Sequence, residues 1–164
     1  MKMERLVLVV LLLVLGCGLA HSRILTKCEL INLIRNQAQQ EQKIGNITIA
    51  KMVCHAEKLT GFDTSTLEEM TVGQKTWKLY GIFQFSNHMT CKEPGNHRRT
   101  TCDNLCSDFL DDDVEDDIAC AIKIIKSILL TGKTPDDLLE LIKEDKYFPQ
   151  DCKDVTPDYL ICEI

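Results

Sequence analysis

The sequence has little positive charge and only one long apolar run. Its 164 residues include 19 Lys and Arg against 25 Asp and Glu, which gives a formal net charge of −6 at pH 7. Nucleic-acid-binding proteins need basic patches that neutralise phosphates, and membrane-lytic proteins are cationic as well. The charge balance therefore argues against both classes, and no internal repeat or low-complexity stretch is present.

The single long apolar run lies at the start of the chain. A short basic segment precedes LVLVVLLLVLGCGLA, and the small residues Ala20 and Ser22 stand before a plausible cleavage site ahead of Arg23. This pattern is typical of a secretory signal peptide, and the run is too short for a confident membrane span. We predict a signal peptide at residues 1–22 and one secreted domain, without a membrane span, at residues 23–164. Cleavage removes two basic residues and one acidic residue, so the formal charge becomes −7.

Cysteine is abundant for a chain of this size. Of the nine cysteines, Cys17 lies in the predicted signal peptide and eight remain in the mature chain. An even number in a secreted protein predicts four disulfides, but eight cysteines allow 105 pairings and their spacing does not choose among them. A zinc site at Cys102 and Cys106 is the alternative. It is disfavoured because no second ligand pair has matching spacing.

Apolar residues recur at helical spacing in CELINLIRNQ, in NITIAKMVCHAEKL and most clearly in VEDDIACAIKIIKSILL. A fourth helix is predicted with Thr134 as its cap, Pro135 at its first position and LLELIKEDKYF as its continuation. Between these segments, the bulky residues of WKLYGIFQFSN predict strands of a small sheet. The order of helices, strands and helices predicts an α+β fold with a helical lobe and a sheet lobe.

The cysteine spacing and two motifs resemble the lysozyme C/α-lactalbumin family. YGIFQFSN, from Tyr80 to Asn87, is similar to the strand segment of that family. In CDNLCSDFLDDDVEDDIAC the cysteines are separated by three and then thirteen residues, as they are in the family. TKCEL, GFDTS and the final CEI agree as well. The resemblance covers nearly all of the mature chain, is nearest to α-lactalbumin, and leaves an insertion between Cys120 and Cys152.

The resemblance implies a lysozyme-like fold with a helical lobe, a small antiparallel β lobe and four disulfides. The implied pairs are Cys28–Cys162, Cys54–Cys152, Cys91–Cys106 and Cys102–Cys120. Each disulfide is expected to stabilise the domain by about 2–4 kcal/mol.

The resemblance implies that leucine occupies both positions that carry the catalytic carboxylates in the lysozymes of that family. The proton donor's position, five residues after Cys54, is Leu59, and the second carboxylate's position, directly before Tyr80, is Leu79. Neither side chain can donate a proton or stabilise a cation, and general acid catalysis alone typically contributes about 100- to 10,000-fold. Glu57 is a poor substitute, because two helical positions turn a side chain roughly 200° away. We therefore predict no enzymatic activity and no catalytic residue.

The segment DFLDDDVEDD, from Asp108 to Asp117, contains seven acidic residues in ten. Unit charges a few ångströms apart repel by roughly 1 kcal/mol in water and roughly 4 kcal/mol near a protein surface. A solvated helix start, favoured by the helix dipole, is one interpretation. Calcium, which prefers six to eight oxygen ligands, is the other. The segment is not an EF-hand, because Asp116 and Ile122 stand where that loop needs glycine and glutamate.

The resemblance to α-lactalbumin implies a specific set of ligands for Ca²⁺. The implied ligands are the carboxylates of Asp111, Asp116 and Asp117 and the main-chain carbonyls of Asp108 and Asp113.

The resemblance also implies a regulatory role as the subunit of lactose synthase. That subunit modifies a β-1,4-galactosyltransferase so that glucose becomes the acceptor and lactose, a milk sugar, the product. The family's aromatic and histidine docking residues are replaced here by Glu57, Lys58, Tyr159 and Leu160. Interfaces depend on a few aromatic anchors. The aromatic residues that could serve here are Tyr147, Phe148 and Tyr159, which either form a different docking patch or pack in the core.

A catalytically inactive protein that binds a saccharide or a cell surface is the alternative function. In that case the substrate cleft of the lysozymes persists in this chain, and it is lined by Leu59, Trp77, Leu79 and Gln84. We expect a monomer in either case. Asn46 opens the sequence Asn-Ile-Thr, which predicts N-glycosylation, unless the asparagine serves as a helix cap.

Overall fold

The computed structural model describes residues 23–41, 44–144 and 148–162. The predicted signal peptide, residues 1–22, and Tyr147 lie outside the described residues. Among the helices described, none combines the length and the apolar character that crossing a bilayer requires.

The described residues form four α-helices, which are α1 (Lys27–Glu41), α2 (Asn46–Thr60), α3 (Val114–Thr131) and α4 (Asp136–Ile142). Local sequence sets their ends. At the start of α1, Thr26 Oγ1 accepts a hydrogen bond from the Glu29 N–H at 3.2 Å, and the Glu29 carboxylate accepts one from the Thr26 N–H at 2.7 Å. This is a capping box. Helices α2 and α3 end at Gly61 and Gly132, whose φ angles of 57° and 62° favour glycine.

Two predicted helix starts differ from the structure by one residue. Gly45, not Asn46, is the N-cap of α2, and Asn46 is its exposed first residue. Pro135, not Thr134, is the N-cap of α4, because the ψ angle of 141° at Pro135 is extended. This helix also ends at Ile142 instead of continuing to Phe148.

The second lobe is an antiparallel sheet of three strands in the order β1 (Leu67–Val72), β2 (Lys75–Tyr80) and β3 (Phe85–Ser86). Tyr80 pairs with Leu67 on one side and with Phe85 on the other. The sequence pattern predicts β2 and β3 but misses β1. The residues of β1 alternate between exposed and half-buried, so this edge strand has no fully buried face to produce a hydrophobic signal.

Helices α1, α2 and α3 pack around the main hydrophobic core. Ile31 and Ile34 of α1, Val53 of α2, and Ile118 and Ile122 of α3 are fully buried. Burying an aliphatic side chain contributes about 1.5–3 kcal/mol relative to leaving it exposed. The apolar residues that recur at helical spacing in the sequence therefore supply the side chains of this core.

Four disulfides connect the lobes and the chain ends. They join Cys28–Cys162, Cys54–Cys152, Cys91–Cys106 and Cys102–Cys120. These are the pairs that the resemblance implies, and they leave no thiolate at Cys102 or Cys106 for the alternative zinc site. The lysozyme-like α+β fold is thus confirmed.

Candidate functional site

The acidic segment, Asp108–Asp117, spans a short 3₁₀ helix (Cys106–Leu110), a bend and the first turn of α3. Asp113 is the N-cap of α3, and its carboxylate accepts a hydrogen bond from the Glu115 N–H at 3.2 Å. Carboxylates are favoured at a helix N-terminus, where N–H groups lack partners and the dipole is positive. The helix therefore stabilises part of this charge by itself.

Three other carboxylates of the acidic segment also accept hydrogen bonds from the backbone. The donors are the Leu105 N–H to Asp108 at 2.9 Å, the Asp113 N–H to Asp111 at 2.8 Å and the Asp117 N–H to Asp116 at 2.9 Å. The five predicted calcium ligands thus lie along one stretch of ten residues, from the 3₁₀ helix to the first turn of α3. In the part of the chain that the structure describes, no group of three or more Asp, Glu, His or Cys side chains is arranged to hold a metal ion. The five-oxygen ligand set therefore stays a prediction.

Asp117 differs from its neighbours because one of its oxygens has no partner. Its side chain is only 2% exposed, and Oδ1 accepts no hydrogen bond. Burial, followed by repulsion from Asp116, raises the pKa of Asp117 to about 9. Burial also raises the pKa of Asp116, and Asp113 adds to that shift. An unpaired buried charge is strongly unfavourable, so the chemistry of this position fits a hard cation such as Ca²⁺.

Gly81 brings the acidic segment against the β lobe. Its φ angle is 71°, and a Cβ added there would collide with the Phe109 carbonyl oxygen and lie 3.0 Å from Asp117 Oδ1. Glycine is the residue that tolerates both the conformation and the close approach. The turn after β2 therefore helps to bury Asp117.

Helix α4 covers the region between the lobes where the sequence predicts an open cleft. Trp77 and Leu79 of β2 form a buried cluster with Leu141 of α4, and Leu59 and Leu138 pack against it. Leu59 and Leu79, which the resemblance places at the family's catalytic positions, thus belong to one apolar cluster. Removing such surface from water is the main force that places α4 there.

The predicted cleft lining of Leu59, Trp77, Leu79 and Gln84 is therefore wrong. Three of these side chains are buried, and Leu59 is half-buried. Gln84 points inward, and its amide donates hydrogen bonds to the Thr66 and Gly81 carbonyls at 3.2 and 2.9 Å. Leu59 and Leu79 share their apolar cluster with Leu138 and Leu141 of α4, so the apolar face of this helix covers them.

Ion pairs surround this apolar contact. Lys75 of β2 lies 3.6 Å from Asp137 and 3.7 Å from Glu140, and Arg98 lies 3.5 Å from Asp137. All of these side chains are at least partly exposed, and such pairs contribute about 0–1 kcal/mol each. They orient α4, whereas Leu138 and Leu141 provide most of its attachment.

Substituting Leu141→Ala should loosen α4 and expose Trp77. We expect a loss of about 2 kcal/mol in the free energy of unfolding, together with a red shift of tryptophan fluorescence and faster quenching by iodide. Trp77 is the only tryptophan, so the signal is unambiguous. Leu139→Ala, on the exposed side of the same helix, is the matched control and should change neither quantity. Unchanged fluorescence in Leu141→Ala would contradict the covering role of α4.

The residues that the resemblance places at the family's docking positions make contacts within the chain. The Tyr159 hydroxyl donates a hydrogen bond to the Glu57 carboxylate, and Lys27 Nζ lies 3.7 Å above the Tyr159 ring. Lys58 forms an ion pair with Asp151 at 3.2 Å. Tyr159 also packs against the main core, so this surface is polar and its one aromatic ring is partly used for internal packing.

Comparison with known proteins assigns the fold to a family. The sequence model of the C-type lysozyme/alpha-lactalbumin family matches residues 23–131, a range that ends before α4. α-Lactalbumin from goat (Capra hircus) is 34% identical over 105 residues, which cover 63% of this chain and 68% of that protein. The milk isozyme of lysozyme C from horse (Equus caballus) is 30% identical over 104 residues, which cover 63% and 78% respectively.

A calcium-binding lysozyme from equine milk has a solved structure that is similar to this one. The TM-score is 0.59 at 27% identity, and the match covers 84% of this chain and 96% of that chain. Such relatives include catalytic lysozymes and non-catalytic α-lactalbumins, so similarity alone does not decide the activity. The matched sequence, the fold and the four disulfides agree that this chain belongs to the C-type lysozyme/α-lactalbumin family.

Proposed function

We propose that this chain is a secreted, calcium-binding and non-hydrolytic α-lactalbumin-like protein. The observation that carries the calcium proposal is the buried Oδ1 of Asp117, which has no hydrogen-bond partner. The carboxylates of Asp111, Asp116 and Asp117 and the carbonyls of Asp108 and Asp113 would hold the ion. The calcium-binding milk lysozyme among the similar structures supports this proposal. Bound Ca²⁺ would supply the positive charge that this acidic segment lacks.

The absence of hydrolysis rests on Leu59 and Leu79. Both side chains contribute to the apolar cluster under α4, and a leucine side chain carries no proton to donate. Purified protein should therefore leave a suspension of bacterial cell walls as turbid as buffer does, while a C-type lysozyme at the same concentration clears it. Clearing by this protein, at any rate above the buffer rate, would contradict the proposal.

Similarity to α-lactalbumins supports a β-1,4-galactosyltransferase as the partner, with this chain as the regulatory subunit of lactose synthase. Docking would use the polar surface around Glu57, Lys58 and Tyr159 in place of the family's aromatic residues. The test is lactose formation from UDP-galactose and glucose with the transferase, which should increase when this chain is added. Goat α-lactalbumin is the positive control. No increase would eliminate this partner and leave the calcium proposal intact.

Secretion and glycosylation complete the proposal. Cleavage of residues 1–22 would leave Arg23 at the N-terminus, and the exposed Asn46 is available to a glycan at the start of α2. Mass spectrometry of protein secreted by cultured cells measures both features. We expect a mass that falls on treatment with an N-glycosidase, and no such change in Asn46→Gln.

A further inference from the structure

A cavity of about 280 Å³ lies between α2, α3, α4 and the segment around β3. Its wall includes Met52, Phe85, Ile125, Leu141 and Phe148. None of the proposed calcium donors lines it, and neither does any residue of the proposed docking surface. The cavity is therefore separate from both sites.

Two polar side chains in this wall already have hydrogen-bond partners. His55 Nε2 donates a hydrogen bond to the Phe83 carbonyl at 3.3 Å, and Ser86 Oγ accepts one from the His88 N–H at 3.0 Å. Burial lowers the pKa of His55 to about 4, so its ring is neutral at pH 7. Among the described residues of the wall, Lys51 is the one cation, and it is exposed.

Size and polarity together indicate the class of ligand. An ordered water needs about two to four polar partners, whereas apolar cavities of about 150 Å³ stay dry and accept benzene. The present cavity is about twice as large, which suits a single substituted ring or a short hydrocarbon chain. A carboxylate placed inside would lose its hydration without gaining a buried cation, and this is strongly unfavourable.

We propose that this cavity binds a small, uncharged, apolar molecule. Helix α4 forms one side of it, because Leu138 and Leu141 line the cavity and also pack in the cluster around Trp77. This helix lies beyond residues 23–131, the range that matches the family. Leu138 and Leu141 therefore reach the wall from outside the matched range, and the site does not depend on the proposed partner.

Ethylbenzene and phenylacetate are a suitable pair of probes, because they have similar size and differ in charge. With the full mature protein in calcium-containing buffer, ethylbenzene should shift the methyl NMR signals of Met52, Ile125 and Leu141 with a Kd below about 1 mM. It should also raise Tm by roughly 4 °C at tenfold excess over Kd. Equal shifts at Leu129 and Leu130, which are exposed on α3, would mean surface adsorption and overturn the proposal. An equal affinity for phenylacetate, or no shift at 1 mM ethylbenzene, would also overturn it.

Filling the cavity provides the second test. Ala121 lines it, whereas Ala119 on the same helix does not. Ala121→Phe should weaken ethylbenzene binding at least tenfold, and Ala119→Phe should leave it unchanged. If Ala121→Phe does not fold, Ala121→Met is the smaller step at the same position and should weaken binding at least threefold. Wild-type affinity in a folded, filled variant would overturn the assignment.

Discussion

Chelation of calcium by EGTA should lower the Tm of this protein by roughly 5–10 °C. An ion that binds only the folded state stabilises it by about 2.7 kcal/mol at a hundredfold excess over Kd, and a domain of this size responds by roughly 2–4 °C per kcal/mol. The physical source is the acidic segment, where Asp117 is buried without a partner for Oδ1. Differential scanning calorimetry in calcium and in EGTA measures the difference.

Two substitutions distinguish the loss of the calcium site from the loss of one negative charge. They are Asp117→Asn and Asp112→Asn. The asparagine side chain has nearly the same shape as aspartate and carries no charge. The first variant should therefore lose the calcium response but melt no lower than wild type in EGTA. Asp112 is exposed and outside the proposed ligand set, so the second variant should keep the response. A full calcium response in Asp117→Asn, or none in wild type, would refute the site.

Gly81→Ala is expected to destabilise the domain by about 3 kcal/mol. The φ angle of 71° costs a non-glycine residue roughly 1–3 kcal/mol, and the new methyl group must displace the Phe109 carbonyl. Because Asp117 Oδ1 is 3.0 Å from the same position, the calcium response should weaken as well. Urea unfolding in calcium, with a constant m value, measures the loss of stability.

Gly73→Ala is the matched control for this substitution. Gly73 has a φ angle of 62°, but nothing lies within 4 Å of the added Cβ. The control should therefore lose only about 1 kcal/mol, which is the conformational part, and keep its calcium response. Equal losses in the two variants would show that the close approach at Gly81 contributes nothing.

Much of the fold was predictable because its signals are local or covalent. The spacing of Ile118 and Ile122 reflects a helix face that is buried in the first half of α3, from Val114 to Ile122. The disulfide pairs followed from the resemblance and not from spacing, since eight cysteines permit many pairings. Strand β1 was not predictable by pattern, because the exposed Leu67 and the half-buried Met70 and Val72 do not form a buried face.

The sequence did not predict that α4 covers the region between the lobes. The leucines of α4 indicate an amphipathic helix, but periodicity does not say which distant surface receives its apolar face. The resemblance predicts that Leu59 and Leu79 stand in place of the catalytic acids, but it does not predict that both pack with Leu138 and Leu141. The side-chain directions in the acidic segment were likewise beyond the sequence, since backbone N–H groups compete for Asp111 and Asp116.

The bond between Cys28 and Cys162 turns nearly the whole described chain into a closed loop. A protease that cuts once at any point inside that loop opens the ring without releasing a fragment. The exposed stretch from Gly95 to Arg99, with two arginines, is an accessible place for such a nick. The cut molecule would remain one covalent species until its disulfides were reduced.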